Sequence, residues 1–179
     1  LIRFFMRHLA MWLMLPWLCL AVPVFADTAE NVGNMFIAIK NGDADSVAQL
    51  LQLGVDPDVQ DEQGYTALMM AAREGSPEVV RQLLKHGARV YRRNRFGETA
   101  VMLAAYDGHN PVIELLLAQG ATLDANSKGW SPLMYAAYSG HAATVRLLLS
   151  YGVPVDSQTD AGLSALMLAS KHGCIECVS

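Results

Sequence analysis

Apolar residues recur along this chain in blocks of nearly constant spacing. Four such blocks, read as GYTALMMAAREG, GETAVMLAAYDG, GWSPLMYAAYSG and GLSALMLASKHG, begin at Gly64, Gly97, Gly129 and Gly162. Their starts are 33, 32 and 33 residues apart. A period of about 20 to 50 residues is typical of stacked-repeat proteins, in which a unit buries its apolar face only against its neighbours. The pattern therefore predicts an extended array of small units.

Glycines and leucine pairs divide each unit into two helices. In the second unit, Gly75 follows the first apolar block, Leu83 and Leu84 come eight residues later, and Gly87 closes the unit. A glycine after an apolar run ends a helix because it adopts the left-handed conformation without a Cβ clash. Each unit is therefore predicted to form a helix, a tight turn, a second helix and a loop.

These blocks resemble the ankyrin repeat, whose usual box is T-P-L-H-x-A-A. The match is carried by TALM, TAVM, SPLM and SALM, by Gly-His in two units and by the V-x-x-L-L runs, and it covers residues 34–179. The resemblance implies an all-α ankyrin-repeat solenoid of stacked helix-turn-helix units with protruding turns, and a surface that binds protein. The His of the box ties neighbouring turns together in the family, and here packing is expected to replace some of that stabilisation. The residues that stand in its place are Met69, Met102, Met134 and Met167.

The chain is predicted to consist of three parts. Residues 1–26 form a signal peptide, residues 27–33 a linker and residues 34–179 the repeat domain. The domain divides into units 34–63, 64–96, 97–128 and 129–161 and a partial unit 162–179, and the first unit lacks the T-x-L-M box and is interpreted as the N-terminal cap. The Leu pair expected after Gly173 is absent. We therefore expect either further sequence in the natural protein or self-association through this end.

The first 26 residues have the composition of an export signal. Arg3 and Arg7 are followed by an uncharged stretch over residues 9–26 that ends in Val24-Phe25-Ala26. A retained membrane anchor is the alternative, because the apolar run approaches the length that spans a bilayer. Its prolines and the small residues at its end favour cleavage after Ala26. We expect an exported protein, placed in a bacterial periplasm, that meets the membrane only through an uncleaved signal.

Charge excludes one class of function. The chain has 13 basic and 17 acidic residues, and removal of residues 1–26 leaves 11 basic and 17 acidic ones, a formal net charge of -6. This balance argues against nucleic-acid binding, which depends on phosphate neutralisation. One basic turn stands out around Tyr91, and it is either a solvated turn or a docking patch for an acidic partner. Its members are Arg89, Arg92, Arg93 and Arg95.

No catalytic constellation and no cofactor motif emerges from the repeat positions, so a non-enzymatic role is predicted. Cys174 and Cys177 form a C-x-x-C pair that export would allow to become a disulfide. The alternative function is a redox or metal-handling factor in oxidant defence that uses this pair and the methionine column. Core packing is the favoured interpretation of the methionines. Capping and turn packing are favoured for the recurrent histidines, which are His86, His109, His141 and His172.

A binding face is implied by the resemblance. In ankyrin proteins the inter-repeat turns and the exposed side of the first helices form the concave surface, which is where aromatic and Arg residues cluster in this chain. The predicted protein-binding residues are Tyr65, Arg73, Arg95, Phe96, Tyr106, Trp130, Tyr135 and Tyr138. Trp130 and Tyr138 are expected to lie at the centre, because such residue types dominate binding hot spots. Alternatively, Tyr106 and Tyr135 pack against the next repeat. The partner is a protein whose identity is open. One alternative is that this chain is an inhibitor or immunity-type binder and that its partner is the enzyme it blocks.

Overall fold

A computed structural model of the protein describes residues 29–177. The predicted signal peptide, residues 27 and 28 of the predicted linker, and residues 178 and 179 lie outside this range. None of the helices within it is long and apolar enough to cross a membrane.

The described residues fold into paired helices, as the repeat pattern predicts. In order these are α1 Ala29–Lys40, α2 Ala44–Gln52, α3 Ala67–Glu74, α4 Pro77–Lys85, α5 Ala100–Tyr106, α6 Asn110–Ala118, α7 Pro132–Ser139, α8 Ala142–Ser150 and α9 Ala165–Lys171, followed by a 3-10 turn over Ile175–Cys177. Between residues 29 and 177, β-structure is limited to the isolated bridges Gln60 with Thr66 and Gln158 with Ser164. The all-α fold is confirmed.

The N-terminal boundary differs from the predicted one. Helix α1 begins at Ala29, so residues 29–33 of the predicted linker are helical. Gly33 does not stop the helix, because a single interior glycine costs only about 1 kcal/mol relative to alanine. Glu30 in the first turn favours helix formation there, since a carboxylate interacts well with the helix N-terminus.

The helices form two layers. The first helices of the units, α1, α3, α5, α7 and α9, pack on one another in chain order, and α2, α4, α6 and α8 pack behind them in a second row. Met69, Met102 and Met134 are fully buried between successive first helices. The predicted core packing is therefore correct for these three. It is wrong for Met167, which is 53% exposed, because no described helix covers the outer side of α9.

A Thr or Ser caps each first helix from α3 onward. Thr66, Thr99, Ser131 and Ser164 each accept a hydrogen bond from the backbone N–H three residues later, which belongs to a methionine of the column. In the second unit the Met69 Sδ also accepts from the Thr66 N–H at 3.5 Å. The methionine thus takes part in the cap as well as in the core.

The fifth unit ends in a short constrained turn. Cys174 and Cys177 are joined by a disulfide with their Cα atoms 5.3 Å apart. The enclosed 3-10 turn lies where the earlier units begin their second helix, and it contacts α8 and α9. Leu166 and Met167 on this end of the stack are more than half exposed.

Candidate functional site

The turns between units are held by an Asp or Asn side chain three residues before the box glycine. The Asp61 Oδ1 accepts from the backbone N–H of Gln63 and of Tyr65, each at 2.9 Å. Asn94 and Asn126 repeat this arrangement in the next two turns. Their side chains replace missing backbone partners, as Asx turns do. In these three turns, the residues at the tip and the residue after the glycine are therefore held in a fixed direction.

Two of these turns and two first helices enclose a groove of about 380 Å³ between the third and fourth units. We call it the aromatic groove. Its lining residues are Phe96, Glu98, Tyr106, Asn126, Lys128, Trp130, Tyr135 and Tyr138. All five aromatic side chains among them had been predicted from the sequence as binding residues.

The aromatic rings of the groove are mutually packed but only partly buried. The Trp130 ring lies 5.3 Å from that of Tyr135 and 5.6 Å from that of Tyr138, centroid to centroid. Tyr106 lies 6.2 Å from Tyr135 and 6.4 Å from Tyr138. These separations are in the range of edge-to-face and offset pairs, which stabilise each other beyond their buried area. The rings are therefore preorganised, and Tyr106 retains 39% exposure.

Glu98 joins three consecutive units at the side of this groove. Its Oε1 accepts from the Tyr135 hydroxyl of the fourth unit at 2.9 Å. Its Oε2 accepts from the Asn94 amide of its own turn at 2.7 Å and from the Tyr65 hydroxyl of the second unit at 3.4 Å. The carboxylate is thereby fixed in one orientation at the groove wall.

Burial and this carboxylate change the acidity of two phenols. Burial, followed by the hydrogen bond to Glu98, raises the pKa of Tyr135 far above its usual value. Burial and the charge of Glu98 also raise the pKa of Tyr65. Both phenols therefore stay protonated as donors to Glu98 at neutral pH.

The remaining predicted residues lie next to the groove. Tyr65 and Arg73 line a second depression, on the second unit, whose other walls include Asp61 and Glu62. The Tyr65 ring is 6.4 Å from that of Phe96, which connects this depression with the aromatic groove. Phe96 is 51% exposed, and Arg95 is exposed at the adjacent turn tip. The alternative role, packing against the next repeat, applies to Tyr106, whose ring contacts Tyr135 and Tyr138 of the fourth unit. Tyr135 is half-buried, but its hydroxyl bonds to Glu98 of the preceding unit.

The basic turn is largely occupied by contacts within the protein. Asp58, which is buried, accepts from the Arg89 backbone N–H at 2.9 Å and pairs with the Arg89 Nε at 3.2 Å. The Arg92 Nε lies 3.7 Å from the same carboxylate. Arg93 donates to the carbonyls of Gly97 and Ala125. This turn is therefore built to join neighbouring units rather than to present four free cations.

Histidines at the start of the second helices pack against the preceding unit. His109 and His141 occupy the N-cap positions of α6 and α8, but neither side chain makes a capping hydrogen bond. The predicted capping role is thus wrong for these side chains, and the predicted turn packing is confirmed. The ring of His109 lies directly over Gly75, and its Nε2 donates to the Arg73 carbonyl at 3.0 Å.

The repeat position of these histidines is taken by Cys174 in the fifth unit. Its Sγ lies 3.5 Å from the carbonyl oxygen of Gly140, the residue that corresponds to Gly75. Within residues 29–177, no group of three or more His, Cys, Asp or Glu side chains is arranged to hold a metal ion. Cys174 therefore takes the place of the histidine in the contact between the fourth and fifth units.

Three polar residues that line the groove are not among the predicted binding residues. Glu98 and Lys128 flank the repeat box, at positions that the register places on the concave face, whereas nothing in the sequence singled out Asn126 as a binding residue. The Asp or Asn three residues before Gly64, Gly97 and Gly129 was a readable signal for these turns. The role of Glu98 was not readable, because it depends on hydroxyl groups 33 and 37 residues away along the chain.

A comparison with known families agrees with this architecture. A family model described as ankyrin repeats (3 copies) matches residues 35–128 and residues 121–179, and together these cover most of the chain. No curated protein matches the chain significantly.

Proposed function

The chain belongs to the ankyrin-repeat family, whose members generally mediate protein–protein interactions, and we propose that it is a non-enzymatic module that binds a protein partner through its concave face, centred on the aromatic groove. The observation that carries this proposal is the packed set of rings formed by Tyr106, Trp130, Tyr135 and Tyr138. Each of these rings contributes to one solvent-accessible groove.

The energetics of such a surface favour binding. Aromatic side chains bury large rigid areas at a low cost in conformational entropy, and the Tyr hydroxyl and Trp N–H remain available for hydrogen bonds. Preorganised rings lose little further freedom when a partner docks. Trp130 and Tyr138 are the expected centre of the contact, with Tyr65, Phe96 and Arg95 at its edge.

We also propose that the chain acts after export, in a bacterial periplasm. The support is the basic start, the apolar run and the small residues that end at Ala26. N-terminal sequencing of the fractionated protein is expected to find Asp27 as the first residue outside the cytoplasm. An intact N-terminus in the membrane fraction would establish the anchor alternative.

The binding proposal is tested by capture of the partner from the native compartment, followed by affinity measurement. Trp130→Ala is expected to cost about 2 kcal/mol, or about 30-fold in affinity, and the Trp130→Ala, Tyr138→Ala double variant should cost more. Tyr151→Ala is the matched control, because Tyr151 is 51% exposed at the end of α8 and lies outside the groove. Circular dichroism checks that all variants remain folded.

The result that refutes the concave-face assignment is equal binding by the double variant and the parent. The row of second helices would then become the better candidate surface. If Tyr151→Ala weakened binding as much as Trp130→Ala, the contact would likewise lie away from the aromatic groove.

A further inference from the structure

We infer that the aromatic groove receives a cationic side chain of the protein partner, with arginine as the preferred residue. This inference rests on the proposed function and names the chemistry that the partner presents. It follows from the aromatic rings, from the remaining capacity of Glu98 and from the charges around the groove.

The aromatic rings supply the first part of the recognition. A ring carries partial negative charge on its faces, so cations are attracted within about 6 Å of the ring centroid, and arginine is the cation most often found there. Tyr106, Trp130 and Tyr138 place several rings around one groove, with centroids 5.6 to 6.4 Å apart where they contact Tyr138. A carboxylate would meet the same faces unfavourably.

Glu98 supplies a fixed counter-charge with one position still open. A carboxylate offers about four lone-pair sites. Oε2 accepts two hydrogen bonds, from Asn94 and Tyr65, whereas Oε1 accepts one, from Tyr135. One acceptor site on Oε1 therefore remains for a donor that enters the groove. Because the existing donors already hold the carboxylate in place, an incoming guanidinium need not order it.

The other charges around the groove are compatible with a basic ligand. Lys128 lines the groove and is the one opposing charge among its lining residues, but its side chain is exposed on a flexible stem and can turn toward solvent. Three of the four arginines in the nearby turn, Arg89, Arg92 and Arg93, are engaged by Asp58 and by backbone carbonyls, and Arg95 is exposed at the turn tip and does not line the groove. The acidic excess of the chain, 17 acidic against 13 basic residues, further favours encounter with a basic partner.

The test uses the full chain and three blocked peptides that differ only in their central residue, which is arginine, the neutral isostere citrulline or glutamate. Binding is followed through the indole N–H resonance of Trp130, identified by comparison with Trp130→Phe. The arginine peptide is expected to shift this resonance and to bind at least about tenfold more tightly than the citrulline peptide. The glutamate peptide is expected to bind more weakly still.

Two variants test the charges assigned to the groove, and they should change the preference for the arginine peptide in opposite directions. Glu98→Gln keeps the shape of the side chain and an acceptor for Tyr135, and it should reduce the preference for arginine over citrulline severalfold. Lys128→Gln should increase it, because a like charge is removed from the groove. Thermal unfolding of both variants checks that the repeat stack is intact.

Three outcomes overturn the inference: equal binding of the arginine and citrulline peptides, tighter binding of the glutamate peptide, or no shift of Trp130 with any peptide at its solubility limit. If the arginine and citrulline peptides both shift Trp130 and bind equally well, the groove is still a protein-binding site but has no preference for a cation. Failure of the proposed function itself is recognised separately, by unchanged partner capture with the Trp130→Ala, Tyr138→Ala variant.

Discussion

Replacement of Gly75 by alanine tests how successive units lock together. Gly75 ends α3 with a φ of 71°, in the left-handed region. A Cβ added there would lie 2.4 Å from the His109 ring, which belongs to the next unit. The alanine methyl group therefore meets both an unfavourable backbone conformation and an occupied space. The His109 ring must move away, and its hydrogen bond to the Arg73 carbonyl at 3.0 Å is lost.

The expected loss of unfolding free energy is the sum of two effects. An alanine in the left-handed conformation costs about 1 to 2 kcal/mol. Loss of the hydrogen bond between His109 and Arg73 costs about 1 kcal/mol more. Gly75→Ala should therefore destabilise the protein by about 2 to 3 kcal/mol.

Gly120 provides the matched control. Its φ is 84°, but an added Cβ there meets no atom within 4 Å. Gly120→Ala should thus show only the backbone cost, about 1 to 2 kcal/mol. Urea unfolding followed by circular dichroism measures the difference between the two variants. Repeating Gly75→Ala in a His109→Ala background should remove the additional penalty, because the ring that the methyl group meets is then absent.

Two results would refute this account of the unit interface. The first is a Gly75→Ala variant as stable as Gly120→Ala. The second is an unchanged penalty for Gly75→Ala after His109 has been removed, which would assign the whole effect to backbone strain.

Three further predictions concern the turns, the groove and the end of the stack. Asp58→Asn should lower the urea midpoint more than a surface control such as Asp160→Asn, because it removes the buried partner of two arginines. The pKa of Tyr135 is raised in the folded state, so the unfolded chain loses this proton first, and the free energy of unfolding should fall as the pH rises above the ordinary phenol pKa. Tyr135→Phe should flatten this fall, and an unchanged dependence of the unfolding free energy on pH would contradict the assignment. The exposed Leu166 and Met167 predict self-association at high concentration, which Leu166→Glu should reduce in sedimentation velocity; a parent chain that stays monomeric would refute it.

The helices were predictable because the repeat supplies several copies of the same signal. A single block such as TALMMAA is ambiguous by itself, but its return at a nearly constant interval identifies a unit and its boundaries. The N-terminal boundary was missed at residues 29–33, where no repeated block supports it. Burial of the methionine column followed from the period, whereas exposure of Met167 follows from the position of its unit in the stack.

The positions of the aromatic residues in the groove were predictable by register, but the contacts that its polar residues make were not. Trp130 and Tyr138 occupy repeat positions that face outward in each unit, so their placement follows from the alignment of units. The contacts of the arginine turn were not predictable, because its partner Asp58 is 31 residues before Arg89 in the chain and carries no local mark of burial. The repeat pattern shows which positions are equivalent in successive units. It does not show which side chain of one unit contacts which side chain of the next.

Glu98 connects the proposed binding surface with the stability of the stack. Its carboxylate links hydroxyl groups from the units on either side, so it contributes to both unit interfaces while it also faces the groove. In a linear array the interfaces between neighbours supply much of the stability, and removal of this side chain should therefore weaken folding and binding together. An alanine at this position could not separate the two effects. Glu98→Gln separates them better, because it keeps the shape of the side chain and one acceptor oxygen and removes the charge, although an NH2 donor replaces the other oxygen. If cation recognition is the function of this carboxylate, Glu98→Gln should change the ligand preference much more than the melting temperature.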